Sequence, residues 1–163
     1  MTVHAPDRFP ELLREAGLRV TRPRLAVLGA VHVHAHADTD TVISAARAEL
    51  PSVSHQAVYD SLASLTEAGL LRRIQPAGSV ARYESRIADN HHHAICRSCG
   101  RIDDVDCAVG EAPCLHPELH SSPTVRGFAL DTAEVIYWGL CADCAAASAS
   151  TAASPTNQKD HHD

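Results

Sequence analysis

The amino-acid sequence predicts an α+β protein, an N-terminal winged helix-turn-helix followed by a small α/β module stapled by a four-cysteine zinc site. Three observations carry this expectation. Helix start and stop signals recur between residues 7 and 69, and two short strand patterns follow them around Pro76-Ala77-Gly78. Charge and ligand-type residues are partitioned: residues 1–89 hold ten Arg against ten Asp/Glu, and residues 90–163 hold four Lys/Arg against ten Asp/Glu. All six cysteines and seven of the twelve histidines lie after residue 89, which places metal chemistry in the second half.

Taken in order, residues 7–16 read as a short helix closed by Gly17. Thr21 offers an N-cap, Pro23 sits in the first turn, and Leu25, Leu28 and Val31 follow at helical spacing. A third helix is predicted from about Thr39 to Leu50, stopping at Pro51. Ser54 is the next N-cap; Val58, Leu62 and Leu65 form an apolar stripe, and Gly69 ends the helix. Residues 70–75 and 80–84 read as a hairpin. Short helices followed by a hairpin are the winged-helix pattern.

In the second half, residues 93–96, 101–105, 125–130 and 134–140 read as strands, and residues 110–122 as a helix weakened by Pro113 and Pro117. From Ala145 onward the Ala/Ser/Thr-rich composition predicts a disordered tail, in which His161 and His162 are solvated.

Composition excludes several classes. No apolar run approaches the ~20 residues of a membrane span. The charged first thirty residues are unlike a signal peptide, so the expected location is the cytoplasm, where cysteines serve metal or redox chemistry before structural disulfides. Aromatic content is 4%, and small cores poor in large side chains lean on a metal or a partner subunit.

The sequences CRSCG at 96–100 and CADC at 141–144 are two C-x-x-C knuckles. Each lets two sulfurs reach one ion from a tight turn, and together they complete a closed thiolate tetrahedron with no open position for water. Cys96, Cys99, Cys141 and Cys144 are therefore expected to hold a structural Zn(II); a pair of redox motifs is the competing reading. Cys107 and Cys114 are left as small buried hydrophobes, a reversible thiol pair or a further metal site. The acids Asp103, Asp104, Asp106 and Glu111 nearby would raise their thiol pKa values and disfavour reactivity.

If residues 90–96 are extended, His91 and His93 share one face and His92 takes the other. An H-x-H pair is a two-point metal grip, with Glu84 and Asp104 flanking it and His36 far upstream. Nitrogen and carboxylate donors without thiolate suit Fe(II), Mn(II) or a second Zn. Neither a nucleophile motif nor a phosphate loop accompanies them, which disfavours an enzyme.

The segments GLRVTRPRLAVL (17–28), VSHQAVYDSLASLTEAGLL (53–71), ARYES (81–85), NHHHAICRSCGRIDDV (90–105) and YWGLCADC (137–144) run in the order found in the ferric uptake regulator (Fur) family of bacterial metal-dependent repressors. The chain resembles that family over about residues 8–145, and is most similar to its actinobacterial FurA/CatR branch, whose genes accompany catalase-peroxidase. The resemblance implies a winged-helix DNA-binding domain over 1–86 with a hinge at about 84–90, a dimerisation domain over 91–145, and a tail over 146–163. It implies a cytoplasmic homodimer that represses oxidative-stress genes such as catalase-peroxidase, and its own gene, by binding a palindromic A/T-rich DNA operator.

Residue by residue, the resemblance implies a regulatory site of His36, Glu84, His91, His93 and Asp104. One Fe(II) or Mn(II) held there would fix the angle between the modules. Fe(II) at such a site reacts with peroxide and oxidises a ligand histidine, which would release the repressor. Tyr59 would enter the major groove beside Ser54, His55, Gln56 and Asp60, with Arg19, Arg22 and Arg24 at the backbone or minor groove. A further family site is in doubt here, because Ala133 and Asn90 stand where ligands would be, although His92 and Glu111 remain. The alternatives are an iron-uptake or thiol-redox regulator of the same fold, and a zinc metalloenzyme.

Overall fold

The structure, a computed structural model, describes residues 6–76, 78–87, 91–107 and 134–152. The chain divides into two compact units, Met1–Asp89 and Asn90–Asp163. The expected helix at 110–122, the strand at 125–130, Cys114, Glu111, Asn90, Ala133 and the tail from residue 153 with His161 and His162 lie outside the described residues.

In the first unit a 3-10 turn (Pro6–Arg8) leads into α1 (Phe9–Glu15), which starts two residues later and ends one residue earlier than expected. Gly17 has φ +72°, and the Leu18 amide donates to the Leu13 carbonyl, a left-handed helix stop that a Cβ would strain. α2 (Arg22–Val33) begins after Thr21, which has the extended backbone of an N-cap but makes no side-chain cap bond. The expected Thr21 cap is thus backbone only. Pro23 at the second helical position removes one of the two amides such a hydroxyl can accept from, and the other, that of Arg24, is not taken up.

A two-residue strand, β1 (Ala37–Asp38), precedes α3 (Thr39–Glu49), and the Asp38 side chain caps α3 by accepting from the Thr41 amide at 2.9 Å. α4 (His55–Glu67) is capped by Ser54, whose hydroxyl accepts from the Ala57 amide at 3.1 Å. It ends at Gly69, φ +69°, with the Leu70 amide donating to Leu65. The expected stripe is the buried face: Val58, Leu62 and Leu65 are fully buried, joined by Ser61. They pack with Leu13, Val27, Val31, Val42 and Ala46 into one core.

β2 (Arg72–Ile74) and β3 (Arg82–Glu84) form the expected antiparallel hairpin, β2 shorter at both ends and β3 starting two residues later than the pattern suggested. β1 adds to the other side of β3, giving the order β1-β3-β2, with Ala37 opposite Tyr83 and Arg72 opposite Glu84.

In the second unit, β4 (His91–Cys96) pairs antiparallel with β5 (Ile102–Asp106) and parallel with β6 (Ile136–Gly139), in the order β5-β4-β6. The turn after β4 closes with Gly100 at φ +73°, its amide donating to the Cys96 carbonyl. Residues 142–152 form a helix, α5 (Ala142–Ala152), which corrects the expected disorder from residue 145 onward as far as residue 152. Alanine has the highest helix propensity, and Asp143 in the first turn complements the helix dipole. The low-complexity composition concealed both.

Candidate metal centres and nucleic-acid interface

The four knuckle cysteines converge. Cys96 ends β4, Cys99 lies on the turn after it, Cys141 follows β6, and Cys144 sits in the first turn of α5. Their sulfurs all lie within 4.8 Å of one another. Cys99 Sγ and Cys141 Sγ are 3.8 Å apart. That is the edge, about 3.8 Å, of a tetrahedron with Zn–S bonds of about 2.3 Å, so the donor set fits zinc in number, type and spacing.

The thiols are also electrostatically unequal. The Cys141 amide, 3.3 Å from Cys96 Sγ, and then the Cys99 amide, bring the Cys96 thiol down to about 6. At Cys144 the Ser98 hydroxyl acts in the same lowering direction. The sulfurs of Cys141, Cys99 and Cys96 outweigh it and push Cys144 up to about 12. Thiolates crowded together oppose one another's ionisation, and a dication among them removes that opposition.

The expected nitrogen and carboxylate donors form two groups, one in each unit. In the first unit, His36 is the one described non-glycine residue with positive φ, at +59°. Left-handed backbone costs a β-substituted residue about 1–2 kcal/mol, so something must hold it there. Arg82 Nη1 donates to the His36 carbonyl at 3.0 Å, and the β1–β3 pairing brings the ring to Glu84. His36 Nε2 lies 3.2 Å from Glu84 Oε2, and both side chains are buried. Arg72 Nη1, on the strand opposite, is 3.3 Å from Glu84 Oε1.

In the second unit, the alternation expected for 91–93 is present. The rings of His91 and His93 meet edge to face at 4.9 Å, while His92 packs against Tyr137. His91 Nε2 and His93 Nε2 lie 3.9 and 3.8 Å from the same atom, Asp104 Oδ1. Two donors bound at about 2.1 Å to one ion are at most about 4.2 Å apart, so these spacings fit a shared cation. Glu134 Oε1 is 3.9 Å from His93 Nδ1.

Arg72, Arg82 and Glu134 were missed by sequence reasoning. Only the hairpin register, which sets Arg72 opposite Glu84, gave a usable signal for any of them. Cys107 is half-buried after β5.

The exposed face of α4 carries His55, Gln56, Tyr59 and Asp60, and Tyr59 is half exposed beside the buried stripe. Arg19 and Arg22 are exposed. Arg24 is engaged within the unit, donating through Nη1 to the Arg19 carbonyl at 2.9 Å and through Nε to Ser64 Oγ at 3.3 Å. It braces α2 against α4. Among the described residues no helix is long and apolar enough to cross a membrane.

Comparison with known proteins adds four findings. The profile of the ferric uptake regulator family matches residues 15–113. The transcriptional regulator FurA of Mycobacterium tuberculosis is 67% identical over 139 residues, 85% of this chain and 90% of its own. The peroxide operon regulator of Bacillus subtilis is 29% identical over 145 residues, 88% of this chain and 96% of its own. Among solved structures, the manganese-bound ferric uptake regulator of Pseudomonas aeruginosa superposes with a TM-score of 0.60 at 26% identity, over 81% of this chain and 96% of that one.

Proposed function

Because the chain belongs to the ferric uptake regulator family of transcriptional regulators, we propose that it is a metal-dependent repressor whose DNA affinity is set by a cation held between donors of both units. The observation that carries this reading is the His36–Glu84 pair. His36 and Glu84, side chains of metal-ligating type, lie buried 3.2 Å apart in the unit that carries α4, the proposed recognition helix. The remaining donors, His91, His93 and Asp104, belong to the other unit. Five donors on one cation would couple the DNA-binding half to the half proposed to dimerise, and that coupling is the switch.

Cys96, Cys99, Cys141 and Cys144 would hold Zn(II) as a structural ion, and His36, Glu84, His91, His93 and Asp104 would hold Fe(II) or Mn(II), with a second Zn as the competitor. A bound Fe(II) supplies the electron that makes such a site sensitive to peroxide. The protein's own groups do the rest. Arg82 holds the His36 backbone in its strained conformation, and Arg72 compensates the buried Glu84 charge. Tyr137, Trp138 and Leu140 stand exposed at and beside β6, Tyr137 on one face of the sheet and Trp138 on the other, apolar surface that a second copy of the chain would cover in part. A homodimer presents two α4 helices to the two halves of a palindromic operator. The first unit is formally neutral, so its hold on DNA rests on local arginines, such as the exposed Arg19 and Arg22, and on the paired half-sites.

Iron and peroxide are the two inputs this donor set serves, and oxidative-stress genes are the proposed targets; the resemblance to a peroxide operon regulator favours peroxide. The test is a mobility shift on a palindromic A/T-rich duplex with protein purified without air. Binding that appears with Mn(II) and disappears with chelator is expected. Equal binding with and without the metal would sink the proposal.

A further inference from the structure

Asp60 is an anion on the face of α4 proposed to meet a polyanion, one residue after Tyr59. Taken alone it opposes DNA binding. Its geometry gives it another use. Gln56 and Asp60 are four residues apart, hence neighbours on one helix face. Gln56 Nε2 donates to Asp60 Oδ1 at 2.8 Å, and both side chains are exposed. The buried side of α4 is occupied by Val58, Ser61, Leu62 and Leu65, so the Gln56–Asp60 pair points away from the core, as Tyr59 does.

The hydrogen-bond inventory of the pair is one-sided. A glutamine amide has one carbonyl oxygen and two N–H groups. With one N–H given to Asp60, an acceptor and a single donor remain, side by side. That couplet matches the adenine edge in the major groove, where N6–H2 donates and N7 accepts. It also fixes which way the amide faces, since its nitrogen must lie on the Asp60 side. Guanine offers two acceptors, O6 and N7, and Asp60, an acceptor-only group beside the amide, repels both.

We propose that Gln56 reads one adenine in each operator half-site, and that Asp60 is its positioning residue, orienting the Gln56 amide and rejecting guanine. The proposal rests on the DNA-binding reading above. It explains an acid on a DNA-facing helix: the carboxylate weakens attraction to phosphate and returns base discrimination.

The test is selection from a pool of randomised duplexes by the full-length, Mn(II)-loaded protein, followed by sequencing, for the wild type and for Asp60→Ala, Asp60→Asn and Gln56→Ala. Asn retains a carbonyl oxygen that accepts from Gln56, so it preserves the positioning and lacks the charge. At one position per half-site the wild type should prefer adenine to guanine, and Asp60→Ala and Gln56→Ala should each reduce that preference roughly tenfold or more. Other positions should keep their preferences. Asp60→Asn should retain adenine while tolerating guanine better. Asp60→Ala raises overall affinity by removing a negative charge, so the readout is the preference at one position and not the affinity. If the wild type selects a motif and Asp60→Ala selects the same one, or loosens all positions equally, the positioning role is wrong. If the metal-loaded wild type selects nothing, the DNA-binding reading itself fails, and this inference with it.

Discussion

Removing zinc should unfold the second unit and leave the first standing. Among the described residues the apolar core lies almost wholly in the first unit; the second contributes only Ile95 and Cys96 as buried apolar side chains. Full burial of an isoleucine stabilises by about 1.5–3 kcal/mol, and Cys96 is itself a proposed zinc ligand. A structural four-thiolate zinc site contributes about 10–16 kcal/mol at neutral pH, comparable with the whole stability of an ordinary domain, about 5–15 kcal/mol. The described part of the second unit therefore has little apolar burial besides the proposed zinc site. The single tryptophan reports on it directly: Trp138 lies in β6, 42% exposed, with the Arg97 guanidinium 5.3 Å from its ring centroid.

The assay is a zinc chelator under reducing conditions, with Trp138 emission and amide exchange followed together. Emission should shift to the red, and the amides of β4, β5 and β6 should exchange quickly. Those of α2, α3 and α4 should stay protected. Cys99→Ser should bring the same change at lower chelator concentration. Unchanged emission and unchanged β4 protection after the zinc is shown to be gone would refute the reasoning.

Two further outcomes are expected. Asp38→Ala should destabilise the first unit by about 1 kcal/mol through loss of the α3 cap, measured by urea unfolding. The Thr41 amide holds the Asp38 carboxyl below its ordinary 3.8, so the wild-type advantage is fully present above that value and vanishes as pH falls through the depressed folded value; an advantage unchanged at still lower pH would contradict the cap. His36→Gly should destabilise the first unit by about 1–3 kcal/mol, because relief of left-handed strain only partly offsets the loss of the buried ring that pairs with Glu84. The same variant should lose Mn(II)-dependent DNA binding, and a His36→Gly protein that still responds to Mn(II) would remove His36 from the site.

What was legible in the sequence was local. Ser54, Gly17 and Gly69 mark helix ends because capping and left-handed stops are decided within a few residues, and each lies where the pattern put it. The C-x-x-C knuckles were legible for the same reason, since a two-residue spacer is itself the geometry of the turn. The alternation of His91, His92 and His93 followed from the pleat alone. The rest depends on distant partners. β1 is two residues long and carries no periodic signal, yet it sets His36 against Glu84. The positive φ of His36 carries no local signal, because histidine, though more tolerant of it than most residues, adopts left-handed backbone only occasionally; the adjoining β1 pairing and Arg82 hold it. Thr21 takes the N-cap position that the pattern predicts, without a side-chain bond. Residues 145–152 are helical against their low-complexity composition, because alanine's helix propensity outweighs it.

The two donor sets divide the proposed work by chemistry. Thiolates bind Zn(II) tightly enough that Cys96, Cys99, Cys141 and Cys144 would remain loaded while conditions change, and a site that stays loaded carries no signal. The nitrogen and carboxylate set has no thiolate, and Mn(II) and Fe(II) stand lowest in the divalent affinity order, so its occupancy can follow supply. A ligand moves an equilibrium only by its differential affinity; going from 1:99 to 99:1 requires about 10⁴-fold. Preorganisation keeps that difference from being consumed in assembling each half. His36 and Glu84 already stand 3.2 Å apart in a backbone fixed by Arg82, and His91 and His93 already converge on Asp104. On the proposed reading, little rearrangement within a unit would be needed, and most of the binding free energy would be left for joining the units. Arg72 sets the opposing bias. Its pairing with Glu84 stabilises the carboxylate when metal is scarce and competes with a cation when metal is plentiful, so neutralising Arg72 should shift the response to lower metal concentrations.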